Sequence, residues 1–430
     1  MDTKDAVNTA VLQRVGIQFG LLGMVIWSAA LPFGMVQHTR FTAIALWIML
    51  GGYLLALAGR LPFQKIRKSD TWIILTFVAF TLFPLLDFWR WQHTQDALSL
   101  VVLRLSMLLI PFLVCQFQNS WPVYWAKMVL GILLISLIIN ALLTVSAGPS
   151  FLFHSIRGGT SIDEFYWMHR PYYGLFFGVF IIGGITLFYR NPKPYALFIF
   201  MIFSGLAILF LWLLLVKMAL LGIIVVLGLW AFLRTASFFF PTQAKTVLFG
   251  AILIMLGIGY KMATRSIALQ QVRNQGQIDF ATVNKNYANS LNLRLVLWNT
   301  AFSSTVESGA GWFGFGTANA QAHLNEAVCK VDQHLCALKL DPHSVWLAEW
   351  MQHGLPGLLL VSLLLFVPAW NFERNHFHPY MWIWMFIAFC CLSETYINRE
   401  MGIQTLVWMA VVIPVFLRNK NLVLPTKFQE

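Results

Sequence analysis

The feature that most constrains this chain is the length of its uninterrupted apolar runs. Residues 195–216 (YALFIFMIFSGLAILFLWLLLV) and 354–370 (GLPGLLLVSLLLFVPAW) approach or exceed the stretch of about 20 residues that a helix needs to cross a bilayer. Similar runs recur along the chain, which is 59% hydrophobic and only 11% charged over its 430 residues. An ordinary soluble domain carries roughly a quarter charged residues, and no interior of this size hides so much apolar surface. Backbone groups in lipid must be satisfied within their own segment, so apolar spans of this kind are helices. The expected fold is all-α, a polytopic membrane protein.

Apolar windows of about 17 to 22 residues, bounded by charge, proline or glycine, give about twelve spans. They start near residues 16, 42, 72, 98, 124, 172, 195, 217, 245, 354, 379 and 402. The first run, from Gly16 to Val36, is too long for a signal-peptide core and lacks a small-residue cleavage site, so it reads as a span. The joint between the seventh and eighth spans, at Val216–Lys217, is only a few residues long. An even number of spans puts both termini on one side. With that side cytoplasmic, it collects most of the Lys and Arg, among them Arg60, Lys65, Arg67, Lys68, Arg190, Lys193, Arg374 and Arg418. The outer segments hold fewer, which is the bias that orients membrane proteins. Three regions follow: residues 1–263 with nine spans, a long polar outer segment over 264–353, and residues 354–430 with three spans and a cytoplasmic tail. The net charge of +12 is scattered through short loops rather than gathered on one face, so nucleic acid is excluded as a partner. No internal repeat or low-complexity tract is present.

Cys115, Cys390 and Cys391 fall in spans, where a thiol packs as a small apolar group. Cys329 and Cys336 (CKVDQHLC) lie in the outer segment, where an oxidising compartment permits a disulfide. Their spacing is too long for a bridge along one straight helix, so a bond requires a turn between them. Zinc is the weaker alternative: His334 lies between the two thiols, but no fourth ligand is evident.

In so apolar a chain each charge calls for a reason. Lys217 opens the eighth span and reads either as a lysine snorkelling to the outer interface or as a functional cation. Arg170, in MHRPYYG at the mouth of the sixth span, carries the same two readings, and Arg294, in NLRLVLWN, reads alternatively as a surface ion pair. Three cations converging on the outer face suit an anionic headgroup such as a diphosphate, with arginine gripping oxygens in bidentate fashion and lysine acting as a point charge. In LDPHSVWLAEWMQHGLPG, 340–357, Asp341 is placed to cap a helix with Pro342 at its first position, and Gly354 followed by Pro356 to end it, which predicts a helix over 342–353. His343 then shares a face with Trp346, Leu347 and Trp350. The positive end of the helix dipole there favours the neutral imidazole, the state a general base needs. The plainer account is a helix-terminal histidine packed against tryptophans.

His343-Ser344, nine intervening residues and Gly354-Leu355-Pro356-Gly357 resemble the pattern of the O-antigen ligase superfamily. Further segments fall in that family's order: KMALLG at 217–222, NLRLVLWNTAF, GWFGFGTANA at 311–320 and SETYINREMGIQ at 393–404. The resemblance covers the second half of the chain, and the first half through its span count alone. It implies a bacterial inner-membrane enzyme with its active site on the periplasmic face, moving a glycan from an undecaprenyl-diphosphate carrier to an acceptor hydroxyl without a metal, a nucleotide sugar or another cofactor. By the same resemblance His343 takes the proton of the attacking hydroxyl, with inversion at the anomeric carbon, and Arg170, Lys217 and Arg294 hold the departing diphosphate. Lys217 stands where the ligases commonly have arginine, keeping the charge and losing the bidentate fork. Glu394 and Arg399 are candidates for orienting the site, or simply pair with each other.

The expected partners are the undecaprenyl-diphosphate-linked glycan, lipid A-core or another glycan acceptor, and membrane lipids. The family's repeat-unit polymerases and protein O-oligosaccharyltransferases differ from its ligases in the acceptor, and the His-Ser pair with the size of the outer segment favours a ligase joining O-antigen to lipid A-core. A lipid or polysaccharide flippase predicts ionisable residues near span midpoints, where Arg104 stands nearly alone and Asp87 lies close to an outer end. A noncatalytic scaffold gives no reason for a histidine and three cations to converge.

Overall fold

A computed structural model describes residues 3–32, 38–62, 68–90, 94–117, 120–122, 124–146, 170–188, 194–214, 216–239, 290–317, 319–331, 333–337, 339–370, 379–396 and 399–418. The described residues are helical with connecting turns and contain no strand. The helices are α1 (Thr3–Ala30), α2 (His38–Ala58), α3 (Lys68–Leu82), which runs into a 3₁₀ helix (Phe83–Arg90), α4 (Thr94–Phe117), α5 (Trp125–Ser146), α6 (Arg170–Phe188), α7 (Pro194–Leu213) and α8 (Lys217–Phe239). After these come α9 (Ser290–Glu307), α10 (Asn319–Val331), α11 (Gln333–Ala337), α12 (Val345–Trp370), α13 (Pro379–Cys390) and α14 (Glu400–Arg418).

By length and composition alone, six of the described helices are long and apolar enough to cross a membrane: Val7–Ala30, Asp70–Arg90, Ala97–Phe117, Pro194–Leu213, Lys217–Thr235 and Val345–Ala369; the last of these folds back at Gly354. Shorter apolar stretches occur at Ala43–Ala58, Lys127–Leu143, Pro379–Cys390 and Gly402–Pro414. The span expected from residue 245 and the outer stretch at 148–169 lie outside the described residues. Phe198, Ile199, Leu206, Ile224, Leu142 and Trp47 all point outward. Water would penalise such a surface, whereas a bilayer accepts it.

Helix α1 packs along α2 and α5, and α14 packs on α4 and α5. Helices α6, α7, α8 and α13 form a second group. Between the groups, α3 packs on α4 and α12, and α12 on α13. Small residues set the closest approaches: a Cβ at Gly16 would overlap the backbone of Gly52 and Ala56 on α2, the small-xxx-small contact by which helices associate in lipid. In the second group the Phe386 ring fills the space left by Gly178 and Gly222. Trp27, Trp382, Trp384 and Trp408 are fully buried, and the Trp408 indole N–H donates to Ser28 Oγ at 2.8 Å.

Helix α12 is not one straight rod. At Gly354 the backbone adopts φ 66° and ψ −149°, a region essentially restricted to glycine, and the chain doubles back. Trp346 and Phe366 have ring centroids 6.1 Å apart, whereas twenty residues of continuous helix would separate them by about 30 Å. A Cβ at Gly357 would overlap the Glu349 carbonyl, so the limbs 345–353 and 355–370 meet closely near the tip. Gly354 ends the first limb as the sequence pattern indicates. The helix begins later than expected, however. Val345 is its first residue, and Ser344 caps it: the Ser344 carbonyl accepts from Ala348 N at 2.9 Å and its Oγ from Leu347 N at 3.4 Å.

Helices α9, α10 and α11 form a smaller unit with its own core of Val296, Leu297, Ala301, Ala320, Leu324, Val328 and Leu335, closed by Met351 of the first α12 limb. Cys329 and Cys336 are disulfide-bonded across the break between α10 and α11. The required turn is present, and the two sulfurs are committed to each other rather than to zinc.

Candidate functional site

The site is assembled where the base of the first α12 limb meets the 391–399 turn. His343 is held there by its backbone, in the left-handed region at φ 46°, a costly conformation for a non-glycine residue that persists where the surroundings impose it. What imposes it is Asp341: its Oδ1 accepts from the His343 backbone N at 2.8 Å, a short-range side-chain turn of the kind that competes with helix. This is why the helix starts at Val345, and why His343 precedes the Trp346–Trp350 face instead of lying on it. Val345 N then donates to Cys391 O at 3.0 Å, fixing the limb to the turn that carries Glu394 and Arg399.

The His343 Nδ1 is buried, 3.5 Å from Asp341 Oδ1 and 3.9 Å from Glu394 Oε2, while 20% of the side chain stays accessible. Each carboxylate has a cationic partner. Glu394 pairs with Arg294 of α9. Asp341 Oδ2 accepts from Thr395 Oγ1 at 2.7 Å and from Arg399 at 3.3 Å. The expected mutual pair of Glu394 and Arg399 is therefore not the arrangement found: the two are divided between Arg294 and Asp341. Burial alone would raise the Asp341 carboxyl, but the His343 imidazole, the Arg399 guanidinium and the Thr395 hydroxyl more than offset it and hold it below the ordinary carboxylate range.

Arg170 and Lys217 are the first residues of α6 and α8. The Tyr396 hydroxyl donates to Pro171 O at 3.1 Å and the Tyr172 and Tyr396 rings lie 5.3 Å apart, tying the start of α6 to the 391–399 turn. Val216 and Ala219 of the α8 start fill the space beside Gly174 of α6. Lys217 is exposed and Arg170 half-buried. The structure thus gathers His343, Arg294, Glu394 and Arg399 into one hydrogen-bonded and ionic network, and sets Arg170 and Lys217 on adjacent helix starts.

Sequence reasoning passed over Asp341 as more than a helix cap, and missed a second network on the same limb. Arg104 of α4, fully buried, pairs with Glu349 of α12 and lies 4.1 Å over the Phe80 ring. His353 sits between Glu349, 3.9 Å away, and Asp87, 3.7 Å away. Asp87 accepts in turn from Thr317 N and Thr317 Oγ1, both at 2.8 Å. Arg90 donates to the carbonyls of Phe313, at 3.0 Å, and Gly314. The signal was available in two isolated opposite charges, Arg104 and Glu349, each costly in apolar surroundings and so in need of a partner. No protein-family model and no curated protein sequence matches the chain.

Proposed function

We propose that this protein is a membrane glycosyltransferase of the O-antigen ligase type, transferring a glycan from a polyprenyl diphosphate to an acceptor hydroxyl at the periplasmic face of the inner membrane. The observation that carries the reading is the imidazole of His343 with one nitrogen buried between two carboxylates and part of its ring accessible. An imidazole flanked by two carboxylates, neither hydrogen-bonded to its Nδ1 at 3.5 and 3.9 Å, and with part of its ring accessible is the residue type and setting that suit a general base. As the acceptor oxygen forms its bond to the anomeric carbon, its proton passes to His343, and the sugar–phosphate bond breaks with its electron pair going to the diphosphate. Arg170 and Lys217, with the guanidinium N–H groups of Arg294 not used by Glu394, supply the positive charge that the departing diphosphate requires. A ligase acting on lipid A-core is the preferred member of the class, in keeping with the His-Ser pair.

The test is glycan transfer by the purified, reconstituted protein. A general base contributes about 10²–10⁴-fold, so His343→Ala is expected to lose rate by that order while still binding the carrier lipid. Transfer at the wild-type rate would reject the assignment.

A further inference from the structure

The tip of the α12 hairpin is surrounded by large apolar side chains that face outward. Trp89 is 71% exposed, Trp312 69% and Phe313 73%; Leu86, Phe88 and Leu355 beside them are also exposed. They come from three separate segments that are physically joined. Arg90 donates to the Phe313 and Gly314 carbonyls, the Phe88 and Trp89 rings are 5.6 Å apart, and Leu355 N donates to the carbonyls of Gly311 and Trp312. Together they make one ridge around the tip, larger than the scattered apolar side chains a wetted surface tolerates.

We propose that this ridge beds in the headgroup–acyl boundary of the bilayer and anchors the hairpin tip to it, so that the occupant of the ridge is lipid. The ridge lies at the end of one stretch long and apolar enough to cross a membrane, Asp70–Arg90, and at the fold-back in the middle of a second apolar stretch, Val345–Ala369. Along its own segment the ridge follows the outward apolar residues of α3 and its 3₁₀ continuation, Trp72, Leu75, Leu82 and Leu85. Tryptophan and phenylalanine beside an arginine, at the end of such helices, match the composition of a membrane interface. The anchored element is the limb that begins two residues after His343, so the contact fixes the height of the site relative to the lipid. The inference is independent of the proposed reaction and holds whether or not the chain transfers glycans.

A nitroxide attached at Phe313→Cys in the full-length protein, reconstituted in phosphatidylethanolamine–phosphatidylglycerol vesicles, reads the environment directly. The reference is the same label at Glu326→Cys, on an exposed position of α10. Bedding in lipid predicts a severalfold higher oxygen collision rate and a severalfold lower collision rate with a water-soluble nickel chelate at 313 than at 326. Trp89→Cys, on a different segment of the ridge, is expected to show the same shift and guards against local misfolding of one variant. Nickel accessibility at 313 and 89 equal to that at 326 would overturn the proposal. So would low accessibility to both relaxants accompanied by dipolar coupling between labels of two copies, which would show a protein partner on the ridge.

Discussion

At the residue scale the functional reading rests on how Asp341 is used. One carboxylate fixes the left-handed backbone of His343, faces its imidazole and is itself held by Thr395 and Arg399. Asp341→Asn removes the charge that stabilises the imidazolium and is expected to lower kcat by about 10²–10⁴-fold, with carrier-lipid KM little changed, as steady-state kinetics would show. The same substitution carries a pH signature. A carboxyl whose folded-state pKa lies below its unfolded value, about 3.9, contributes stability above that value and loses it as pH falls through the folded one. Wild-type protein should therefore soften in acid, below the ordinary carboxylate range, more steeply than Asp341→Asn does; thermal denaturation in detergent as a function of pH measures the difference, and parallel curves would reject it.

At the element scale the first limb of α12 carries one buried carboxylate, Glu349, and the pair Arg104–Glu349 binds it to α4. Removing one partner of a buried ion pair strands the other and costs about 3–5 kcal/mol, whereas replacing both by apolar residues of similar volume is often neutral. Glu349→Ala is thus expected to lower thermal stability markedly, and Arg104→Met with Glu349→Leu to recover most of it; a double variant as unstable as the single would show that the charges do more than pair. Much of this element was legible beforehand: Gly354 and Pro356 marked the break, and the apolar run marked the second limb. Its start was misjudged because Asp341 near Pro342 satisfies the helix-cap pattern equally well, and only the three-dimensional placement of Thr395 and Arg399 shows where that carboxylate goes. Arg294, Glu394 and Arg399 stand out as unusual charges, but the Arg294–Glu394 pair spans 100 positions and the Arg399–Asp341 pair 58, which hydropathy and spacing do not encode.

On the scale of the whole molecule, the apolar belt, its helices and the small disulfide-bonded unit beside the hairpin tip define an asymmetric protein. In the proposed topology the loop after α2 lies in the cytoplasm and the α9–α11 unit outside, the side with the smaller share of Lys and Arg. Residue-specific labelling tests this. The free cysteines Cys115, Cys390 and Cys391 are buried, so a membrane-impermeant maleimide added to spheroplasts should label Glu326→Cys and spare Arg60→Cys until the membrane is opened. Reversed labelling would invert the topology and, with it, the face on which the proposed reaction runs. All-α architecture and membrane residence could be read from the sequence because bilayer thickness imposes a length on every span; the division into two helix groups could not, because it depends on which small residues admit which neighbours.

The fold-back at Gly354 also turns the segment behind it into a ruler. Its zero mark is set at His343 by Asp341, and its far end by the interlock of Gly354 with the Trp312 backbone and of Gly314 with Gln352 and His353. A residue added or removed between those marks would turn everything beyond it by about 100° and shift it by about 1.5 Å, swinging Glu349 away from Arg104 or the imidazole away from its carboxylates. Conservative changes along the limb are therefore tolerable in principle, but a change in its length is not.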